Sequence, residues 1–119
     1  MIRVVSAGAG DQGTRIENRV GEPAANPYLY MASQVLTGLA GMEGKLTPAT
    51  ASDTPYETQA EPLPKSLIEA VQAFREDATY HALLEKVFAD YIVKIKEAEI
   101  ARFLSEVTDW EQREYFEMF

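Results

Sequence analysis

The spacing of apolar positions along the 119-residue chain changes from a strand period to a helix period near residue 27. Residues 2–5 (Ile-Arg-Val-Val) read as a short strand, and Ser6 to Thr14, with three glycines, read as a turn or loop. Residues 14–20 then alternate with period two. Arg15, Glu17 and Arg19 fall on one face, with Ile16 and Val20 on the other and Asn18 between them. Two strands joined by a glycine-rich loop predict a hairpin. Gly21-Glu22-Pro23 breaks the second strand. Asn26-Pro27 opens a helix, with Asn as the cap and Pro pre-set for the first turn. That helix runs to about Met42 and ends at Gly44, with Leu29, Ala32, Leu36 and Leu39 or Ala40 as its apolar stripe and Met31 and Met42 as packing residues. Gly38 and Gly41 cost it about 1 kcal/mol each relative to Ala, which close approach of another backbone would justify.

Residues 45–64 hold four prolines and read as an irregular loop over a surface rather than a domain linker. From Ser66 onward the pattern is helical. Ser66 and Glu69 form a capping box for a helix through about Arg75. Asp77 caps the next, which carries His81, Leu83 and Leu84. Val87, Phe88, Tyr91, Ile92, Ile95, Ala98 and Phe103 recur at helical spacing. Thr108 and Glu111 form a second box ahead of Trp110, Tyr115, Phe116 and Phe119. These aromatics read as core or subunit contacts. The fold class expected is α+β, a short N-terminal hairpin followed by a mostly α-helical segment.

Composition narrows the chemistry. Hydrophobic residues make up 46% and charged residues 25%, ordinary globular values, and a chain of this size has room for one domain with a real core. With no cysteine and one histidine, thiol catalysis, disulfides, Cys-ligated zinc and multi-His metal sites are excluded. His81 lacks a convergent partner and reads as structural. No apolar run approaches a membrane span, the N-terminus lacks a signal-peptide pattern, and a cytoplasmic location is the expectation. The net charge of −8 comes entirely from residues 46–119, where the run from Glu97 to Glu117 reads as a solvated face with Lys94 and Arg102 available for pairing. Such a surface repels nucleic acid and anionic lipid.

Two segments carry candidate chemistry. Gly8-Ala-Gly10-Asp-Gln-Gly13 matches the G-x-G-x-x-G string. That mechanism needs a helix after the last glycine, yet here an alternating strand follows, so the segment reads as a hairpin loop. Arg15-Ile-Glu17-Asn-Arg19 is different. A carboxylate between two same-face guanidinium groups can ligate a hard cation while the arginines grip phosphate or carboxylate oxygens. The competing reading is a solvated face with cross-strand ion pairs of little energetic weight.

The longer string Thr14-Arg-Ile-Glu-Asn-Arg-Val-Gly-Glu-Pro-Ala-Ala-Asn-Pro-Tyr-Leu29 closely resembles the carboxyl-side part of the glutamine synthetase catalytic domain. In that family an Arg-x-Glu-x-Arg strand leads through an Ala-Ala-Asn-Pro-Tyr turn into a helix. Residues 2–5 look like the preceding barrel strand, and Asp109-Trp-Glu-Gln-Arg-Glu-Tyr-Phe116 resembles a terminal segment found in a subset of the family. The resemblance covers essentially residues 1–119 and implies a C-terminal fragment of such a domain. It implies ATP-dependent joining of glutamate to ammonia, or to another amine, through γ-glutamyl phosphate, with Mg²⁺ or Mn²⁺ as cofactor, in a homo-oligomeric enzyme of glutamine biosynthesis.

By the same resemblance, Glu17 is a metal ligand near the transferred phosphate. Arg19 is the catalytic arginine that binds the substrate γ-carboxylate. Arg3 and Arg15 are nucleotide-phosphate contacts. Some members carry a basic residue late in the hairpin loop, where this chain has Asp11 and Gln12. The family's other metal-binding glutamates and its ammonia-site groups lie on earlier strands, so the chain alone is expected to be inactive. Met1 falls where a longer member could carry an internal methionine. The alternative expectation is a small non-catalytic helical interaction module that binds a full-length family subunit.

Overall fold

A computed structural model describes residues 2–6, 8–57 and 59–118; the expectations for Met1 and Phe119 lie outside these. The chain divides into two units, Met1–Thr47 and Pro48–Phe119, and the division falls inside the proline-rich stretch that the sequence suggested was only a surface loop.

The first unit holds β1 (Ile2–Val5), β2 (Arg15–Asn18) and α1 (Pro27–Glu43). β1 and β2 pair antiparallel in the register Ile2↔Asn18, Arg3↔Glu17, Val4↔Ile16 and Val5↔Arg15. Directly opposed residues share a face and successive residues alternate. One face therefore carries Arg3, Val5, Arg15 and Glu17; the other carries Ile2, Val4, Ile16 and Asn18. The glycine loop between them is a hairpin connection, as its sequence context required. Gly8 (φ 119°) and Gly10 (φ 91°) occupy backbone conformations that side chains disfavour, and Asp11 Oδ1 accepts from the Gly13 N–H at 2.9 Å.

β2 is shorter than the alternation over residues 14–20 suggested. The Asn18 side chain ends it, accepting from the Val20 N–H at 3.0 Å, a local turn that competes with strand continuation. The same amide donates from Nδ2 to Gln34 Oε1 and so ties the hairpin to α1. A Cβ at Gly21 would lie 3.0 Å from the Tyr30 ring, so glycine is what lets the chain pass beneath that ring.

α1 begins as its sequence predicts. Asn26 accepts from the N–H groups of Tyr28 and Leu29, and Pro27 follows. The helix ends at Gly44, as expected. Gly44 is right-handed helical (φ −74°), and Lys45 takes the left-handed position at φ 49°. The N–H of Leu46 donates to Gly41 O at 3.0 Å and that of Lys45 to Met42 O at 3.1 Å, the paired bonds of a Schellman stop. Of the stripe expected to pack, Ala32, Leu36 and Ala40 are half-buried. Leu29 and Leu39 are exposed, as are Met31 and Met42, while Tyr30, Ser33 and Thr37 are half-buried alongside Leu36 and Ala40.

The second unit holds α2 (Leu67–Glu76), α3 (Ala78–Leu83), α4 (Lys86–Leu104) and α5 (Asp109–Tyr115). Ser66 Oγ accepts from the Glu69 N–H, but the Glu69 carboxylate accepts from the N–H of Lys65 rather than of Ser66, so the box is offset by one residue. Asp77 caps α3 through Thr79 and Tyr80. Between α3 and α4 the chain turns at Glu85, with φ 60° and no side-chain cap, a break that the apolar spacing did not reveal. The Thr108–Glu111 box on α5 is complete in both directions.

α2, α3 and α4 pack together. Their core is Val71, Ala89 and Val93, the buried hydrophobic residues among those described. Phe74 lies against Tyr80 and His81, with ring centroids 5.5 and 6.0 Å away. Arg75 pairs with Glu97 across α2 and α4. Within α4, Lys86 pairs with Asp90 and Lys96 with Glu99, both on the helix's own surface; Lys94 and Arg102 join no ion pair among the described residues. Tyr91, Trp110, Tyr115 and Phe116 are exposed, so none is core. Among the described residues no helix is long and apolar enough to cross a membrane.

Candidate functional site

The charged face of the hairpin gathers three of the four residues singled out from sequence. Glu17 stands directly across from Arg3, and Arg15 lies two residues before it on the same strand face. Glu17 Oε1 accepts from Arg15 Nε at 2.9 Å and lies 2.6 Å from Arg15 Nη2. Arg15 Nη1 donates to the Gly13 carbonyl at 2.9 Å. The guanidinium is thus held at one edge by its own strand and at another by the hairpin loop. Two of its N–H donors make hydrogen bonds, and Nη2 lies in the ion pair with Glu17. Arg3 Nη1 sits 3.7 Å from Glu17 Oε2, an ion pair without a hydrogen bond.

Exposure decides what such a cluster is for. The side chains of Arg3 and Arg15 are 54% and 57% exposed, whereas that of Glu17 is 26% exposed. Ion pairs this open contribute about 0–1 kcal/mol to stability, so the grouping is not explained by holding the fold together. It leaves a cationic excess, two guanidinium groups to one carboxylate, on a chain of net charge −8.

Arg19 is not brought into this cluster. It follows the last residue of β2 and joins no ion pair among the described residues. The strict alternation that put it beside Glu17 fails because the Asn18 turn ends the strand first.

A divalent metal ion does not fit the described residues by themselves. Among them no group of three histidine, cysteine, aspartate or glutamate side chains could hold one. Glu17 offers a single carboxylate with both oxygens already facing guanidinium groups, and such ions prefer several oxygen ligands.

His81, set aside from sequence as structural, is half-buried against Phe74, and its buried Nε2 has no hydrogen-bond partner among the described residues. The residues that sequence reasoning missed are Asn18 and Gln34, which join the charged strand to α1. An asparagine interrupting the apolar side of the alternation, between Ile16 and Val20, was the available signal.

Residues 1–115 match the family described as glutamine synthetase, catalytic domain. A γ-glutamylanilide synthase from Acinetobacter sp is 42% identical over 130 residues, covering 99% of this chain and 26% of that protein. A lengsin from Canis lupus familiaris is 34% identical, covering 92% of this chain and 19% of its own length. A glutamate–isopropylamine ligase from Pseudomonas sp is 34% identical, covering 97% and 25% respectively. The chain spans about a quarter, or less, of the length of these curated relatives. With a match along nearly all of its residues, and with the arginine–glutamate strand and the Asn26-capped helix formed as the resemblance implied, the chain belongs to the glutamine synthetase catalytic-domain family.

Proposed function

We propose that residues 1–119 form a C-terminal segment of an ATP-dependent ligase that joins glutamate to ammonia or another amine. In this reading the hairpin supplies the cationic wall against which a phosphoryl group is transferred. The observation that carries it is the fixed Arg15 guanidinium. Glu17 and the Gly13 carbonyl orient it, and Arg3 stands across the strand pair.

Phosphoryl transfer gains most from donors already in place where negative charge collects. Arg15, with guanidinium donors beyond those two bonds, and Arg3, with a loosely paired guanidinium, take phosphate oxygens of the nucleotide or of the acyl phosphate. Glu17 keeps Arg15 from swinging away when the anion leaves. Arg19, beyond the strand end, binds the glutamate side-chain carboxylate. Glu17 is at most one ligand of a magnesium or manganese site whose other ligands lie elsewhere in a whole family domain. The names of two relatives favour an organic amine as acceptor, and the assembled enzyme is homo-oligomeric and cytoplasmic in this reading.

The test is a replacement. These 119 residues are substituted for the matching stretch of the Acinetobacter relative, and glutamate- and amine-dependent phosphate release is measured. The chimera turns over and the 119-residue chain alone does not. A chimera that is folded, by its circular dichroism and oligomer size, yet inert would refute the reading.

A further inference from the structure

α1 meets the end of β2 at two points. Asn18 Nδ2 donates to Gln34 Oε1, and the Tyr30 ring lies over Gly21, where a Cβ would come within 3.0 Å of it. Tyr30 and Gln34 stand at positions i and i+4 of the helix, on one face of it. Arg19 and Val20 run between those two anchors. β2 ends at Asn18, so Arg19 is bracketed by contacts to α1 and not by strand pairing.

The bond to Gln34 is one link in a directed series. The Val20 N–H donates to Asn18 Oδ1 at 3.0 Å, and Asn18 Nδ2 donates to Gln34 Oε1. Gln34 Nε2 then donates to Ser33 Oγ at 3.3 Å, and the Ser33 hydroxyl to the Tyr30 carbonyl at 2.7 Å. Both ends are backbone groups of fixed sense, since an N–H donates and a carbonyl accepts. They settle which way each amide between them faces. Gln34 takes the nitrogen of the Asn18 amide and so leaves its oxygen turned to Val20, where it makes the turn. Asn18 and Gln34 are both exposed, and a bond that competes with water adds little to stability. What the series fixes is direction.

We propose that Gln34 is a positioning residue for glutamate binding: by holding the Asn18 amide it keeps the turn that ends β2, and with it the place of Arg19. The proposal rests on the ligase-segment reading, in which Arg19 takes the glutamate carboxylate, and adds to it a residue of α1 that acts through Asn18.

Gln34→Met removes both amide bonds at nearly unchanged helix propensity, and Gln34→Glu keeps an acceptor for Asn18 Nδ2. In the 119-residue chain, the temperature coefficient of the Val20 amide proton in NMR moves to that of a water-bonded amide in Gln34→Met and stays in place in Gln34→Glu. In the chimera with the Acinetobacter relative, Gln34→Met raises the KM for glutamate about tenfold. The KM for ATP is unmoved, and Gln34→Glu restores the KM for glutamate. Asn18→Ala raises the KM for glutamate as well, and adding Gln34→Met to it changes nothing further, because two residues acting through one contact are not additive.

An active chimera whose KM for glutamate ignores Gln34→Met overturns the proposal and leaves the ligase reading standing. A parallel rise in the KM for ATP, a Gln34→Glu variant that fails to restore, or additive effects with Asn18→Ala overturn it too. An unaltered chimera that is folded yet inert counts against the ligase reading and removes the glutamate role with it. The Val20 amide then decides by itself whether Gln34 holds the turn, and an amide unchanged in Gln34→Met overturns that as well.

Discussion

Single residues fix where the elements start and stop, and here the sequence was read most accurately. Asn26, Asp77 and Thr108 all cap the helices they were expected to cap, because a short polar side chain at a helix start has few other uses for its oxygen. Asn26→Ala removes both bonds to α1 and costs about 1 kcal/mol, read as a loss of helical ellipticity and a lower urea midpoint. α1 stops at Gly44, as its sequence predicts, and the left-handed position after it falls on Lys45. Lys45→Gly relieves that conformation and stabilises the chain by about 1 kcal/mol, provided the Schellman bonds from Lys45 and Leu46 are kept; thermal unfolding measures it.

Glu111 gives a pH dependence at the same scale. The backbone N–H of Thr108, and then its hydroxyl, donate to the Glu111 carboxylate and hold it below its ordinary value of 4.5. A depressed carboxylate contributes stability above the unfolded-state value and loses it as the pH falls through the folded-state value. The α5 amide signals in NMR therefore stay constant from neutral pH down to the ordinary glutamate range and fray below it. Thr108→Ala leaves α5 frayed at neutral pH as well.

Elements were legible in kind and less so in orientation. The hairpin, the proline-rich break and the helical remainder all appear where period and punctuation placed them. The faces followed in part: Ala32, Leu36 and Ala40 of the stripe expected on α1 are half-buried, while Leu29 is exposed. Apolar spacing names the residues a helix would bury if a partner were present, and α1 also carries apolar residues, Met31 and Val35 among them, that stay exposed. The hairpin repeats the point. Ile2, Val4 and Ile16 share a face and are 67%, 70% and 73% exposed, and β1 and β2 form a two-stranded sheet with both outer edges open. The isolated chain associates with itself or precipitates as its concentration rises, and Val4→Lys with Ile16→Glu suppresses this. Light scattering at several concentrations checks it, and a concentration-independent monomer of the unaltered chain would contradict it.

For the molecule as a whole, the composition promised a core that the described residues do not build beyond Val71, Ala89 and Val93. Composition counts apolar residues without saying whether their partners are on the same 119 residues. The site shows the same division. Its arginines and glutamate were legible because alternate residues on a strand meet on one face. The end of the strand before Arg19 was not, because one asparagine turn outweighed the alternation. The most direct measurement is amine-dependent phosphate release by the chimeric ligase carrying Arg15→Gln, with Glu17→Asp as the variant that retains the orienting carboxylate. A loss of turnover of at least about a hundredfold for Arg15→Gln, with a smaller loss for Glu17→Asp, is the expected result; turnover within a few-fold of the unaltered chimera for Arg15→Gln would contradict a phosphate-binding hairpin.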